Sequence, residues 1–148
     1  MTALWLIVED GAEYLERFRR FGGPDLRFVH ATSLAAAEAA IAAEPPTGLL
    51  FDLDFRRTPA DQLIDEHGAS AALLPAIEQQ RLAQQQGIYI LLALRKRGST
   101  LPAVLCADLD DAEQRRYLEE TLAPLTIVGS SESLREILQH LRDPDSRK

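Results

Sequence analysis

The chain is poor in the residues that most often announce a chemistry. Cys106 is the single cysteine in 148 residues, so no internal disulfide can form, and no Cys/His spacing suggests zinc. The histidines, His30, His67 and His140, are scattered. No glycine-rich phosphate loop and no Ser-His-Asp order stands out. Lysine occurs only at Lys96 and Lys148. Cationic side chains are in deficit, 16 against 23 acidic ones, for a formal net charge of -7. Phosphate backbones are repelled by such a chain on average, so no nucleic-acid partner is expected. The clusters Arg17/Arg19/Arg20 and Arg95/Lys96/Arg97 read as solvated helix faces. No run approaches the roughly 18 apolar residues of a membrane span. The first residues, Met1-Thr2-Ala3-Leu4-Trp5, reach Glu9-Asp10 without a basic leader, so a cytoplasmic protein with no membrane partner is expected.

What is present is an alternation of short apolar runs with helical periodicity, the pattern of βα units on a parallel sheet. Leu4-Trp5-Leu6-Ile7-Val8 suits a strand buried on both faces and ends in two acids. Ala12, Leu15 and Phe18 then share one helix face, and Gly22-Gly23-Pro24 ends that helix. A more polar strand, Leu26 to Ala31, precedes a helix over 34–44 capped by Ser33 and stopped by Pro45-Pro46. Gly48 to Phe51 is a third strand running into Asp52-Leu53-Asp54. Thr58-Pro59 predicts a short helix to about Glu66, broken by His67-Gly68. A long helical stretch to about Arg97 follows, with Gly87 as its possible break and the glutamines at 79, 80, 84, 85 and 86 as an exposed face. Leu101 to Ala107 and Leu125 to Val128 are the fourth and fifth strands. Asp108 is the expected cap of the helix between them. Leu134, Ile137, Leu138 and Leu141 form the apolar stripe of a last helix. Ser133 with Glu136 has capping-box spacing there, and Ser130 or Ser131 is an alternative cap. The tail from Asp143 to Lys148 is polar.

Five such units predict a flavodoxin-like five-stranded parallel sheet of order 2-1-3-4-5. Its ligand crevice lies at the carboxyl ends of strands one and three, where the winding reverses. Glu9, Asp10 and Asp52 sit at those ends. Three neighbouring anions repel one another, so a cation or a basic side chain is required, and a magnesium ion suits carboxylate oxygens.

Leu6-Ile7-Val8-Glu9-Asp10, Pro46-Thr47-Gly48-Leu49-Leu50-Phe51-Asp52-Leu53 and Leu101-Pro102-Ala103-Val104-Leu105-Cys106-Ala107 together resemble a response-regulator receiver domain of two-component signalling, CheY-like in fold. The resemblance covers most of residues 3–55 and 87–142. It implies that Asp52 is the phospho-acceptor and that Glu9, Asp10 and Asp52 hold magnesium. Two switch positions depart from the family pattern. The hydroxyl residue expected after strand four is Ala107. The lysine expected after strand five is absent, and Gly129 lies in that segment. A third departure is an insertion of about 30 residues, 56–86, beginning beside the acids. Arg56 or Arg57 at its start is expected to reach them as the missing cation.

The implied function is a pseudo-receiver that binds a protein partner or a second copy of itself, with Asp phosphorylation impaired or absent. The candidate surfaces are residues 110–142 and the 56–86 segment. Two alternatives stand beside it. One is a conventional magnesium-dependent phospho-accepting receiver. The other follows from the likeness of Asp52-Leu53-Asp54 to the first motif of haloacid-dehalogenase-type phosphatases, with Asp52 as nucleophile and Asp54 as general acid.

Overall fold

The computed structural model describes residues 2–129 and 132–143. Ser130 and Ser131, the alternative caps, and residues 144–148 of the tail lie outside the described residues. Strand β1 (Ala3–Val8) pairs in parallel with β2 (Leu26–Ala31) on one side and with β3 (Gly48–Asp52) on the other. Next to β3 lies β4 (Ala103–Cys106), and next to that β5 (Leu125–Val128), again in parallel. The order is β2-β1-β3-β4-β5, the flavodoxin-like winding that the apolar runs predict.

The central strands are apolar at almost every position because both faces of the sheet are covered. Alternation sends Trp5, Ile7, Leu50, Val104 and Cys106 to one face. There they meet Leu15 and Phe18 of α1 (Glu13–Phe21) and Ile137, Leu138 and Leu141 of α6 (Leu134–Arg142). The Trp5 indole Nε1 donates to the Leu141 carbonyl at 2.9 Å, which ties the first strand to the last helix. Leu6, Val8, Leu49, Phe51 and Leu105 face the other way. They pack against α2 (Leu34–Ala43), α3 (Ala76–Ala83), α4 (Gln86–Lys96) and α5 (Ala112–Thr121). Among the described residues no helix is long and apolar enough to cross a membrane.

Two helix starts match their expected caps. Ser33 accepts from the Ala36 N–H, and Ser133 from the Glu136 N–H at 3.2 Å. The start of α5 differs: Asp111, not Asp108, caps it, accepting from the Glu113 and Gln114 N–H groups. Three of the four residues from 108 to 111 are acids, and only the one directly before the helix has its carboxylate in reach of the free N–H groups.

The stretch between β3 and α4 is where sequence periodicity misleads most. The short helix expected from Thr58-Pro59 is a single 3-10 turn, Ala60–Gln62. A tight turn with Gly68 at φ 80° brings Ile64 against Ser70 in an antiparallel bridge. The long helical stretch is two helices separated at Gln84-Gln85. Gly87 lies inside the first turn of α4. A side chain there would run into the Asp52 carbonyl, and the Gly87 N–H donates to the Leu53 carbonyl at 3.1 Å. The break therefore precedes Gly87, because α4 must begin where its backbone can rest on the end of β3.

The glutamine face is also different from expectation at one position. Gln86 is 1% exposed. Its Oε1 accepts from the Ile64 N–H at 2.9 Å, and its Nε2 donates to the Ile64 carbonyl at 3.0 Å. A single side chain thus satisfies both polar groups of a buried backbone residue. Around it Phe55, Leu63, Ile64, Ala71, Leu82 and Ala83 join the main core. The segment is a packed element that reaches the sheet directly.

Two substitutions test this anchoring. Gly87→Ala forces α4 off the β3 backbone and is expected to cost about 1–3 kcal/mol in urea unfolding. Gln86→Leu keeps the volume but orphans the Ile64 N–H and carbonyl. A similar loss, about 1–3 kcal/mol, is expected, with hydrogen exchange accelerated first in residues 60–72.

Candidate functional site

The carboxyl ends of β3, β4 and β5, with the start of α1, line a cleft of about 540 Å³. Asp52 and Asp54 line it from the end of β3, and Cys106 and Ala107 from β4. Gly129 lies after β5, and Tyr14 and Arg17 project from α1. Arg56 stands at the same wall. Ala107 and Gly129, the two switch positions, offer the cleft no side-chain oxygen or charge.

Of the three carboxylates expected to meet, the structure uses each differently. Glu9 is 1% exposed and turns into the start of α1. Its Oε1 accepts from the Tyr14 N–H at 3.1 Å and its Oε2 from the Leu15 N–H at 3.0 Å. An anion here satisfies free helix donors and complements the helix dipole. Burial nonetheless pushes its carboxyl pKa up, against the lowering effect of those two N–H groups and of His30. His30 Nε2 lies 3.8 Å from Glu9 Oε2 and 2.6 Å from the Gly11 carbonyl.

Asp10 is held by Arg57. The Arg57 main-chain N–H donates to Asp10 Oδ2 at 2.9 Å, and Nη2 donates to Oδ1 at 3.1 Å. The same guanidinium reaches Glu13 Oε2 at 3.0 Å. The Asp10 side chain is only 4% exposed, whereas that of Arg57 remains largely in solvent. Gly11 makes the seat: a Cβ at that position would overlap Arg57 Nη2 and the Glu13 carboxylate. Asp10 and Glu13 together push the Arg57 pKa up, and Arg57 pulls that of Glu13 down.

Asp52 is half-buried at the cleft floor. Its Oδ1 accepts from the Leu53 N–H at 2.9 Å. Burial raises its pKa from the usual 3.8 to about 6, with Asp10, Glu9 and Asp54 adding to the push. Asp54 is paired through Oδ2 with Arg56 Nε at 2.6 Å, so the group proposed as a general acid in the phosphatase reading is tied in an ion pair. Thus Arg57 serves Asp10 and Arg56 serves Asp54.

These commitments decide how well the site fits the magnesium ion that the fold implies. Both Glu9 oxygens and both Asp10 oxygens already accept hydrogen bonds, and Glu9 is aimed at α1. Among the described residues no three acidic, histidine or cysteine side chains are gathered so as to hold a metal ion. In this arrangement the donor set does not fit the ion.

Tyr14 and His30 were not legible as site residues. Tyr14 is placed in the cleft because a side chain in the first turn of a helix leans back towards its N-terminus and so towards the strand ends. It lines the cleft beside the buried Cys106 thiol, whose pKa burial pushes up to about 12. His30 was findable in principle. The β1–β2 register sets it opposite Ile7, two residues from Glu9.

No family model matches the chain, and no curated protein matches it. Solved structures do. The receiver domain of a Francisella response regulator superposes with a TM-score of 0.66 at 13% identity, covering 95% of this chain and 94% of that one. The BeF3-activated N-terminal receiver domain of Klebsiella pneumoniae RstA gives 0.60 at 21% identity, over 94% and 95%. A CheY-like receiver domain protein from Methanospirillum hungatei gives 0.61 at 16%, over 97% and 94%. The fold is that of response-regulator receiver domains.

The raised Asp52 pKa has a signed consequence. Between pH 3.8 and 6 the unfolded chain ionises this carboxyl before the folded one does, so folding loses stability as pH rises through that window. Asp52→Asn removes the penalty. The variant is expected to be more stable by about 1–2 kcal/mol at pH 7, allowing for partial solvent screening. The gain should shrink below pH 6 and vanish below pH 4 in parallel denaturation curves.

Proposed function

We propose that this chain is an atypical receiver-like signalling module in which its own Arg57 takes the cation's place at Asp10 and whose signal leaves through protein contacts. The observation that carries this reading is the two-point grip of Arg57 on Asp10, by main-chain N–H and by guanidinium. It puts a covalently attached cation where a receiver would recruit a soluble one.

The chemistry of phosphoryl transfer supports the same reading. A phosphoryl group moving to an aspartate oxygen carries charge on three equatorial oxygens, and fixed cations must meet it. In this cleft Ala107 brings no hydroxyl and Gly129 no ammonium. Arg56 is engaged with Asp54, and Arg17 is exposed at the cleft wall. Asp52 itself is desolvated and lies beside other acids, which raises its pKa. A phosphate settling there would meet more anions than cations. It would also find no side-chain hydroxyl at 107 to report its arrival.

By analogy with receivers, the outgoing surface is α5, β5 and α6, residues 110–142. Tyr117, 64% exposed in α5, is the large apolar group on that face. The conventional alternative, magnesium-dependent phosphorylation of Asp52, draws on the position of that residue at the cleft floor.

Two measurements separate these readings. With acetyl phosphate and magnesium, intact-mass spectrometry is expected to show the wild-type chain unmodified; ready addition of one phosphoryl group at Asp52 would reverse the proposal. In a manganese titration followed by water relaxation, wild type is expected to bind weakly. Arg57→Ala, which leaves Asp10 without its guanidinium partner, should bind at least about tenfold more tightly, as removal of a competing charge pair worth about 1.4 kcal/mol implies. Equal affinity in the two proteins would mean that Arg57 does not hold the cation's place.

A further inference from the structure

The segment between β3 and α4 carries a feature that the cleft does not explain. Residues 72–77, Ala-Leu-Leu-Pro-Ala-Ile, are six successive apolar residues, and all are exposed. Leu73 is 99% exposed and Ile77 74%. A run of this kind on a folded surface marks an interaction site or an aggregation liability.

The run is held in place. Ala71 beneath it is fully buried, and its N–H donates to the Leu63 carbonyl at 2.9 Å. The Gln79 side-chain amide donates to the carbonyls of Ala71 and Ala72 at 3.1 and 3.2 Å. The Leu74 N–H closes a turn onto Ala71, and the Glu78 and Gln79 N–H groups both reach the Pro75 carbonyl. A built turn therefore presents Leu73, and the first turn of α3 presents Ile77. Displaying them costs little ordering entropy on binding.

Beside these projections lies a cleft of about 530 Å³ between α3 and the 3-10 turn. Ala76 and Ala83 on one side and Ala60 and Leu63 on the other give it apolar walls, and Arg56, Thr58 and the glutamines 79, 80 and 84 form its polar rim. Ala76 belongs to both the exposed run and the cleft wall, so knob and hole adjoin on one surface. A two-fold pairing sets the same patch of both copies face to face, which brings the knob of each copy to the hole of the other. The charges agree. Along α3 Glu78 and Arg81 form one ion pair at 3.1 Å, so the patch carries no net charge from them in a chain of net charge -7. In an antiparallel α3–α3 pairing, Glu78 of each copy would meet Arg81 of the other.

We propose that this face is a two-fold interface between copies of this chain, with Leu73 and Ile77 of each copy seated in the other's α3 cleft. The proposal rests on the reading that the chain acts through contacts, and it names one of those partners: the chain itself.

Sedimentation velocity from low to high micromolar concentration tests it. Wild type is expected to be dimeric at the upper end. Leu73→Asp and Ile77→Asp alter exposed side chains, so their far-UV spectra should be unchanged. Each should raise the dimer dissociation constant by about 30-fold or more, the loss expected for a central apolar anchor. Glu78→Arg alone should also weaken the dimer, and adding Arg81→Glu should restore it. A wild-type chain that stays monomeric throughout, as it would if the patch served a different protein, overturns the proposal. So does a dimer that survives Leu73→Asp and Ile77→Asp. Either failure would leave the acetyl phosphate and manganese results intact, so the two readings can fall separately.

Discussion

Carboxylates gathered at the carboxyl ends of β1 and β3 repel one another, and the cleft depends on how that repulsion is met. The contact that meets it is Arg57 on Asp10, made twice, once through the main chain and once through the guanidinium. An ion pair with one exposed partner is usually worth little. This one differs because the Asp10 side chain is almost wholly buried and the main-chain hydrogen bond holds the arginine's own backbone in register. Gly11 leaves room for the guanidinium, and Glu13 holds its far side. The loop after β3 is thereby stitched to the loop after β1 across the point where the sheet changes direction.

With Asp10 satisfied and Glu9 turned into α1, Asp52 is left as a half-buried acid at the cleft floor. Its raised pKa records burial, with the neighbouring acids adding to the push. The same wall holds a second, shorter ion pair, Arg56 with Asp54. Two adjacent arginines thus serve two different acids. This accounts for a chain with two lysines still meeting the charge requirement of its strand ends.

Much of the fold was legible because burial on both faces writes itself as continuous apolar runs, as in Leu4 to Val8 and Leu49 to Phe51. The strand ends, and therefore the positions of Glu9, Asp10 and Asp52, followed from those runs. The direction of Glu9 did not follow. A carboxylate four residues before a helix can face a cleft or satisfy the helix's free N–H groups, and nothing in the local sequence chooses. The stretch after β3 was less legible still. Its helical periodicity is real, but tertiary contacts decide where helices begin: Gly87 must rest on the Asp52 carbonyl, and Gln86 must bond Ile64. A run of glutamines looks solvent-facing until one of them proves to be a backbone partner. Asp108 and Asp111 show the same limit on a smaller scale, since composition offered several acids and geometry used one as the cap.

The central claim is that an internal guanidinium holds the place of a soluble cation. A crystal structure grown with saturating magnesium and beryllofluoride tests it most directly. The account predicts Arg57 still bonded to both oxygens of Asp10, with no ion between Asp10 and Asp52. Magnesium coordinated by those two carboxylates, with beryllofluoride on Asp52 and Arg57 displaced into solvent, would contradict it.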